Sequence, residues 1–489
     1  MKSINVNYYP QDPLISNLSR TSIEIENLNP GPSSDKIEIK NNNITAEPDS
    51  DSNMIYSPED NRFTQVQAFA VTHQALTRFE KKLQKSIKWP MMKQKITIYP
   101  EKDCYLDAYY CKTDCSLNFT KNFQENMLKD IYTARSTEVV SHELGHAILD
   151  SLRPEYATTF SYETKAFHES FADIFAIFDS LSRPEVLSKL EAETSGDLSK
   201  PNIVSHIAEE VGKALYEKKD HYYLRNAVND LKWSDPDKLP SYSKDDAILA
   251  REPHSLSRVF TAAFYDLINY IYKENQNNGM NFIDAITDAK ENVMTLIIKT
   301  VDRLPESVFF FKEIYRTILK TDADINNRKY TELIKKVFTE RKITDRKLAD
   351  DDKYDYELND NKISEKYILS DHKSGKIISN TYLKEIKLDD KKFGKFKNFN
   401  IDVYLDKNDI IESENIFKEK NICSNNELKI NASKNYIKYL IDNDKILLIP
   451  RNKKINIPYD LLKKDGSLYE AYTVFDKGMM KIINSPIIV

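Results

Sequence analysis

The sequence predicts an α+β fold of two lobes followed by a β-rich appendage, and three observations predict it. A long helical pattern is followed by short alternating, strand-like runs. Helical patterns then dominate from about 160 to 345. Beyond 345 the character changes to Lys-, Asn- and Asp-rich sequence around short strand-like runs. With 489 residues the chain is long enough for two or three domains.

In chain order, residues 1–54 are rich in Asn, Ser, Asp and Pro and read as a flexible arm, or as a short inhibitory or docking segment. Ser57-Pro58-Glu59-Asp60 predicts a helix start, with a cap, a proline at the first position and acids in the first turn. Val66, Phe69, Ala70, His73, Leu76, Phe79 and Leu83 continue that helix at 3.6-residue spacing to about Ile87. After Trp89-Pro90, Lys95-Ile96-Thr97-Ile98-Tyr99 alternates as a strand. Residues 104–110 and 115–119 read as two more. The helices that follow leave a cleft between a sheet-bearing lobe, 55–160, and a helical lobe, 161–345, which includes helices over 257–273 and 330–341. Residues 233–253, polar and carrying Pro236, Pro240 and Pro253, read as a loop bordering that cleft. Residues 346–489 hold strand-like runs at 401–405, 445–450 and 455–458, in a stabilising domain or a substrate adaptor.

Composition excludes several classes. Lys plus Arg number 71 against 76 Asp plus Glu, so no basic excess favours a nucleic-acid partner, and peptide or protein substrates fit better. Nine glycines make phosphate-cradling loops a poor expectation. No run of 18 apolar residues predicts a membrane span. Residues 1–18 have no uninterrupted apolar core, so no signal peptide is expected; the chain then works in the cytoplasm or leaves by a leaderless route. With only four cysteines, reduced thiols are expected, with a Cys111 to Cys115 bridge as the alternative.

The chemistry sits in His142-Glu143-Leu144-Gly145-His146. Residues four apart share a helix face, so two imidazoles can converge on one ion, and Glu143 lies beside it as a base for water. A tetrahedral catalytic zinc needs a third protein ligand. Glu169 is the candidate, on a helix whose Phe167, Phe171, Ile174, Phe175 and Phe178 form an apolar face. Asp173, one turn later, can hydrogen-bond the second nitrogen of a ligand histidine.

These residues resemble the two zinc helices of gluzincin metallopeptidases, most closely the thermolysin-like group, over roughly 55–345. The resemblance implies a two-lobed metallopeptidase domain, one zinc held by His142, His146 and Glu169, and Glu143 as general base. Glu252-Pro253-His254-Ser255-Leu256-Ser257-Arg258-Val259-Phe260 resembles the family segment whose histidine stabilises the oxyanion, giving His254 that role. Arg225 falls where the family holds the substrate carbonyl. Val139 and Leu224 match positions lining the pocket after the scissile bond, which implies an endopeptidase preferring an apolar residue there. The segment around Asp107 and Ala108 resembles the edge strand that binds substrate by strand addition.

Three departures remain open. Asp107 stands for the family's Asn, and its charge would attract a free amino terminus, which favours aminopeptidase action. The Gly-x-Met-Glu-Asn motif of the best-known aminopeptidase group does not precede His142. The tyrosine that assists the oxyanion would fall at Phe160, with Tyr156 and Tyr162 nearby; its loss would suit a metal-binding regulatory protein without turnover. Neither Glu143 nor His254 is needed merely to hold zinc. Of the family's calcium carboxylates, Glu138 stands where an acid is expected but Ser180, beside Asp179, occupies the next position, so calcium stays uncertain.

Overall fold

The structure is a computed structural model. It describes residues 2–344 apart from 41–43, 91–92, 104–105, 113, 126, 155, 157–161, 216–221, 241–242, 244–246 and 305–310. Beyond 344 it describes only the strands at 382–387, 400–405, 446–447, 471–476 and 479–484.

The first correction concerns the described residues within 1–54. They are not a flexible arm: β1 (Lys2–Tyr8) and β2 (Ser19–Ile25) pair antiparallel, Lys2 opposite Ile25 and Tyr8 opposite Ser19. Ile4, Val6 and Tyr8 alternate along one face of the ribbon with Ile23 and Ile25, and all five are buried. The ribbon is tied down by side chains. The Tyr8 hydroxyl donates to Glu185 at 3.3 Å, the Tyr9 N–H to Gln67 at 2.8 Å and the Gln11 amide to Glu138 at 2.9 Å.

The expected helix starts later than Ser57. The Asp60 carboxylate takes the backbone N–H and the guanidinium of Arg62, a local turn that competes with helix, and α1 runs over Phe63–Leu83. It ends at Gln84, whose φ of 58° is left-handed, short of the expected Ile87. Val66, Phe69, Ala70, Leu76, Phe79 and Leu83 are buried, as the spacing requires.

One sheet contains β3 (Ile37–Ile39), β4 (Ile96–Asp103), β5 (Ala108–Cys111), β6 (Ser116–Gln124) and β7 (Lys129–Tyr132). Its order is β3-β4-β6-β5, with β7 also on β6; β3, β4 and β6 run parallel, and β5 and β7 oppose β6. β5 is an edge, and it begins at Ala108 rather than 104; residues 104 and 105 lie outside the described residues.

α2 (Thr137–Leu152) packs beside β5, and α3 (Tyr162–Ser180) packs on α2. Ser136 caps α2, its hydroxyl accepting the Val139 N–H at 3.4 Å. From Thr137 to Asp150 every residue of α2 is buried, so this helix has no solvent face. Gly145 makes that possible, since a Cβ there would stand 2.8 Å from the Ala172 Cα on α3. The chain continues through α4 (Pro184–Thr194), β8 (His206–Ile207), α5 (Glu209–Leu215), β9 (Arg225–Asn226), α6 (Pro253–Asn277), α7 (Phe282–Val301), α8 (Phe311–Asn326) and α9 (Thr331–Glu340). The two-residue strands pair antiparallel, Ile207 opposite Arg225.

Beyond 344, β10 (Tyr382–Lys387), β11 (Asn400–Leu405), β12 (Ile446–Leu447), β13 (Ala471–Asp476) and β14 (Met479–Asn484) form a sheet of order β10-β11-β14-β13-β12. The run expected at 455–458 lies outside the described residues. Among the described residues no helix is long and apolar enough to cross a membrane.

Candidate metal centre

Helix α2 carries His142, Glu143 and His146, and α3 brings Glu169 across to them. The Nε2 atoms of His142 and His146 are 3.1 Å apart, and each lies 3.6 Å from a Glu169 carboxylate oxygen. Zinc bonds of about 2.0–2.2 Å in a tetrahedron separate neighbouring ligand atoms by about 3.4 Å, so the spacing suits one such ion. Among the described residues this is the one group of three or more His, Cys, Asp or Glu able to hold a metal, and all three members are buried. The donor set itself, two imidazoles and a carboxylate, is that of a catalytic zinc with an open position. Two oxygens at the site, Glu143 Oε2 and Glu169 Oε2, are buried without a hydrogen-bond partner among the described residues, which a cation and its water would satisfy.

The outer nitrogens are fixed as well. His142 Nδ1 lies 2.9 Å from Asp173 Oδ1, which leaves Nε2 to face the metal position. Asp173 is held in turn by Arg225, whose Nη2 is 2.7 Å away, and by the Thr261 hydroxyl at 3.4 Å. Burial pushes the Asp173 carboxyl up, but Arg225 and His142 outweigh it and keep the pKa below the ordinary carboxylate value. Arg225 Nη2 also lies 3.4 Å from the His142 ring nitrogens. Gly212 allows this arrangement, because a Cβ there would meet the Tyr223 backbone at 2.3 Å, just before Leu224 and Arg225.

Burial, hydrogen bonds and neighbouring charges set the protonation of the group. Burial would depress His142, yet the Asp173 carboxylate bonded to it and the nearby Glu169 carboxylate lift it to about 9. His146 falls well below its ordinary value through burial. Burial pushes Glu143 up to about 7, helped by Glu169 and Asp107 and opposed by His142 and Arg225. A carboxylate poised there suits a general base.

His254 sits at the start of α6, half-exposed, with Nε2 3.5 Å from Glu169 Oε2. Glu252, the N-cap, accepts the backbone N–H groups of His254 and Ser255 at 2.9 and 2.8 Å and also contacts His254 Nδ1. Glu169, then Glu252, raise His254 to about 9 against burial, so it is a cation at neutral pH. Asp107 precedes β5, its carboxylate accepting the Ala108 N–H at 2.9 Å while its carbonyl takes the Thr120 and Thr133 hydroxyls. Burial raises Asp107, and the charge of His254 acts the other way. Val139 is buried on α2, and Leu224 is half-buried against the core, its N–H bonded to the Ile207 carbonyl at 2.9 Å.

Two residues escaped the sequence reading: Glu252 as the holder of His254, and His168, whose Nδ1 lies 2.6 Å from His146 Nδ1. Both were visible as neighbours of named residues, Glu252 two before His254 and His168 one before Glu169. The position of Phe160 lies outside the described residues. Tyr156 is fully buried against Phe167, too deep to meet substrate, whereas Tyr162 is half-buried beneath the Arg251 guanidinium. Asp179 does not fit a calcium ligand: Arg183 binds it at 2.7 Å, Arg78 contacts it and the Ser141 hydroxyl donates to it at 2.8 Å. Glu138 takes the Gln11 amide and the Ala208 N–H, with burial, then Asp12, pushing it up to about 8.

No family model matches the sequence, and no curated protein matches it. Among solved structures the chain is similar to the precursor of protealysin, a metalloproteinase from Serratia proteamaculans, at 16% identity and a TM-score of 0.38, covering 59% of this chain and 80% of that one.

Proposed function

We propose that the chain is a zinc-dependent metallopeptidase whose catalytic unit spans 55–345, with the N-terminal ribbon packed onto it. The convergence of His142, His146 and Glu169 around a buried point, with Glu143 beside it, carries the proposal. When bound, zinc supplies a Lewis acid for the scissile carbonyl and the attacking water. Glu143 takes the proton of that water and returns it to the leaving amine. Protonated His254 donates to the oxyanion, held in place by Glu252. Arg225 steadies the carbonyl side of the site through Asp173. Apolar Val139 and Leu224 favour an apolar side chain after the scissile bond, in an extended peptide added to the β5 edge.

The deciding experiment measures zinc content beside hydrolysis of a peptide library, in wild type and in Glu143→Gln. The variant keeps zinc and fold and loses at least about a hundredfold in turnover. Near-normal turnover would sink the assignment, and zinc uptake without hydrolysis in wild type would leave a binding protein. One observation favours aminopeptidase action as a second reading: Asp107 lies within electrostatic reach of Glu143, so an ammonium group there would find two acids. Cleavage of a free-amine peptide but not its N-acetylated form would select that reading over endopeptidase action.

A further inference from the structure

We propose that His168 is the positioning residue for the metal ligand His146, its imidazole accepting the Nδ1–H of His146 and thereby keeping the His146 Nε2 lone pair on the metal position. The inference rests on the zinc reading above and deepens it.

The contact is an in-plane hydrogen bond. The ring centres of His146 and His168 are 4.8 Å apart and their planes differ by 21°. The 2.6 Å contact between the two Nδ1 atoms spans much of that separation, so the rings meet edge to edge in nearly a common plane. Two nitrogens at that distance must share one proton, one ring donating and the other accepting. His146 Nε2 faces His142 Nε2 at 3.1 Å and Glu169 at 3.6 Å, the side on which a ligand nitrogen must be unprotonated. In neutral His146 the proton therefore sits on Nδ1, and His168 Nδ1 is the acceptor.

The rest of His168 supports a single task. Its Nε2 is buried and has no hydrogen-bond partner among the described residues, so the contact with His146 is the one hydrogen bond this ring makes there. An apolar side chain at 168 would avoid that unsatisfied N–H, so packing alone does not call for an imidazole. The two ligand histidines are then oriented by different chemistry, His142 by the Asp173 carboxylate at 2.9 Å and His146 by a neutral ring. Both orienting groups, like Glu169, come from α3, so one helix face supplies the carboxylate ligand and the two groups that aim the imidazoles of α2.

The test compares the full chain with His168→Leu, which fills the space without an acceptor, and His168→Asn, which offers an amide oxygen near the place of Nδ1. Zinc affinity is read by competition with a chromophoric chelator, and melting of the metal-free chains checks the fold. His168→Leu should lose roughly ten- to a hundredfold in zinc affinity, the weight of an outer partner of a ligand, while His168→Asn stays close to wild type. Wild-type affinity in His168→Leu overturns the proposal. So does equal loss in both variants with unchanged melting, since hydrogen-bond acceptance would then not be what matters. Long-range nitrogen–proton NMR of histidine-labelled, metal-free wild type gives an independent reading: His146 should carry its proton on Nδ1, and a proton on Nε2 overturns the assignment. Failure of wild type to take up zinc refutes the metallopeptidase reading itself, and the NMR result still decides the pairing of the two rings.

Discussion

Gly145→Ala sets packing and metal binding against helix propensity in one substitution. Alanine is the better helix former by about 1 kcal/mol, so an isolated α2 would gain from the change. In the folded chain the new methyl would stand 2.8 Å from the Ala172 Cα and 3.2 Å from the Phe175 Cβ. The first distance is about 0.6 Å short of ordinary carbon contact, and the obstructing atom is backbone, so rotamer changes cannot relieve it. Overpacking of this kind costs about 1–3 kcal/mol, and a clash against backbone falls in the upper part of that range, so after the propensity gain the net loss is up to about 2 kcal/mol, a few degrees in Tm. The relief available is to move α2 away from α3, and His142 and His146 lie on one side of that seam with Glu169 on the other. A ligand shell tolerates about 0.2 Å, so zinc affinity should fall by at least about tenfold, well beyond what the stability change alone would give. Thermal melts of the metal-free chain beside chelator competition measure both quantities. A variant that melts at or above wild type and binds zinc equally well would refute the reasoning.

Glu169→Ala should lose zinc and zinc-dependent stabilisation together, while Asp173→Ala loses roughly ten- to a hundredfold in metal affinity; equal zinc affinity in wild type and Glu169→Ala would mean the wrong carboxylate is assigned. Val139→Asp should reduce cleavage before Leu far more than it reduces zinc binding, since each buried methylene of that side chain contributes about 0.8 kcal/mol, and a profile dominated by charged residues there would refute the pocket. In the pH profile of kcat/KM, Glu143 must lose a proton to act, so the rate rises through at most about 7, because a bound cation lowers that limb further. His254 must keep its proton, so the rate falls as pH rises, at a pH no higher than about 9 because a bound cation offsets the Glu169 charge that raises it, and a basic limb unchanged in His254→Asn would remove it from the mechanism. The raised pKa of His254 also contributes stability that is complete below its ordinary 6.5 and is lost as pH climbs through about 9.

The centre was legible because its constraint is local. His142, Glu143 and His146 need only a helical register, and Asp173 is one turn from Glu169, so spacing along the chain stands in for distance in space. Arg225 was placed by resemblance, and the structure pairs it with Asp173, 52 positions away, through a two-residue strand that carries no periodic signal. The N-terminal ribbon was misread because Ile4, Val6 and Tyr8 alternate with Ser, Asn and Asn, so average polarity hid a period of two. The start of α1 was misplaced because Ser57-Pro58 has the residues of a cap while Asp60 uses its carboxylate on Arg62. His168 and Glu252 were missed because an orienting group is defined by which nitrogen it faces, and sequence does not encode that direction.

The amide of Gln11 bonds Glu138 and the Ile203 carbonyl, and Asp12 accepts the Glu210 N–H at 3.2 Å, partners up to 198 positions away along the chain. Ribosomes add roughly 5–20 residues each second, so the segment holding Gln11 waits roughly 10–40 s during synthesis before its last partner exists. The ribbon can close early, since its two strands are neighbours in sequence, but the clasp that joins it to the first turn of α2 and to Glu210 is among the most non-local sets of contacts in the described residues. The helix that holds the ligand histidines therefore gains this clasp only once the chain has been made as far as Glu210.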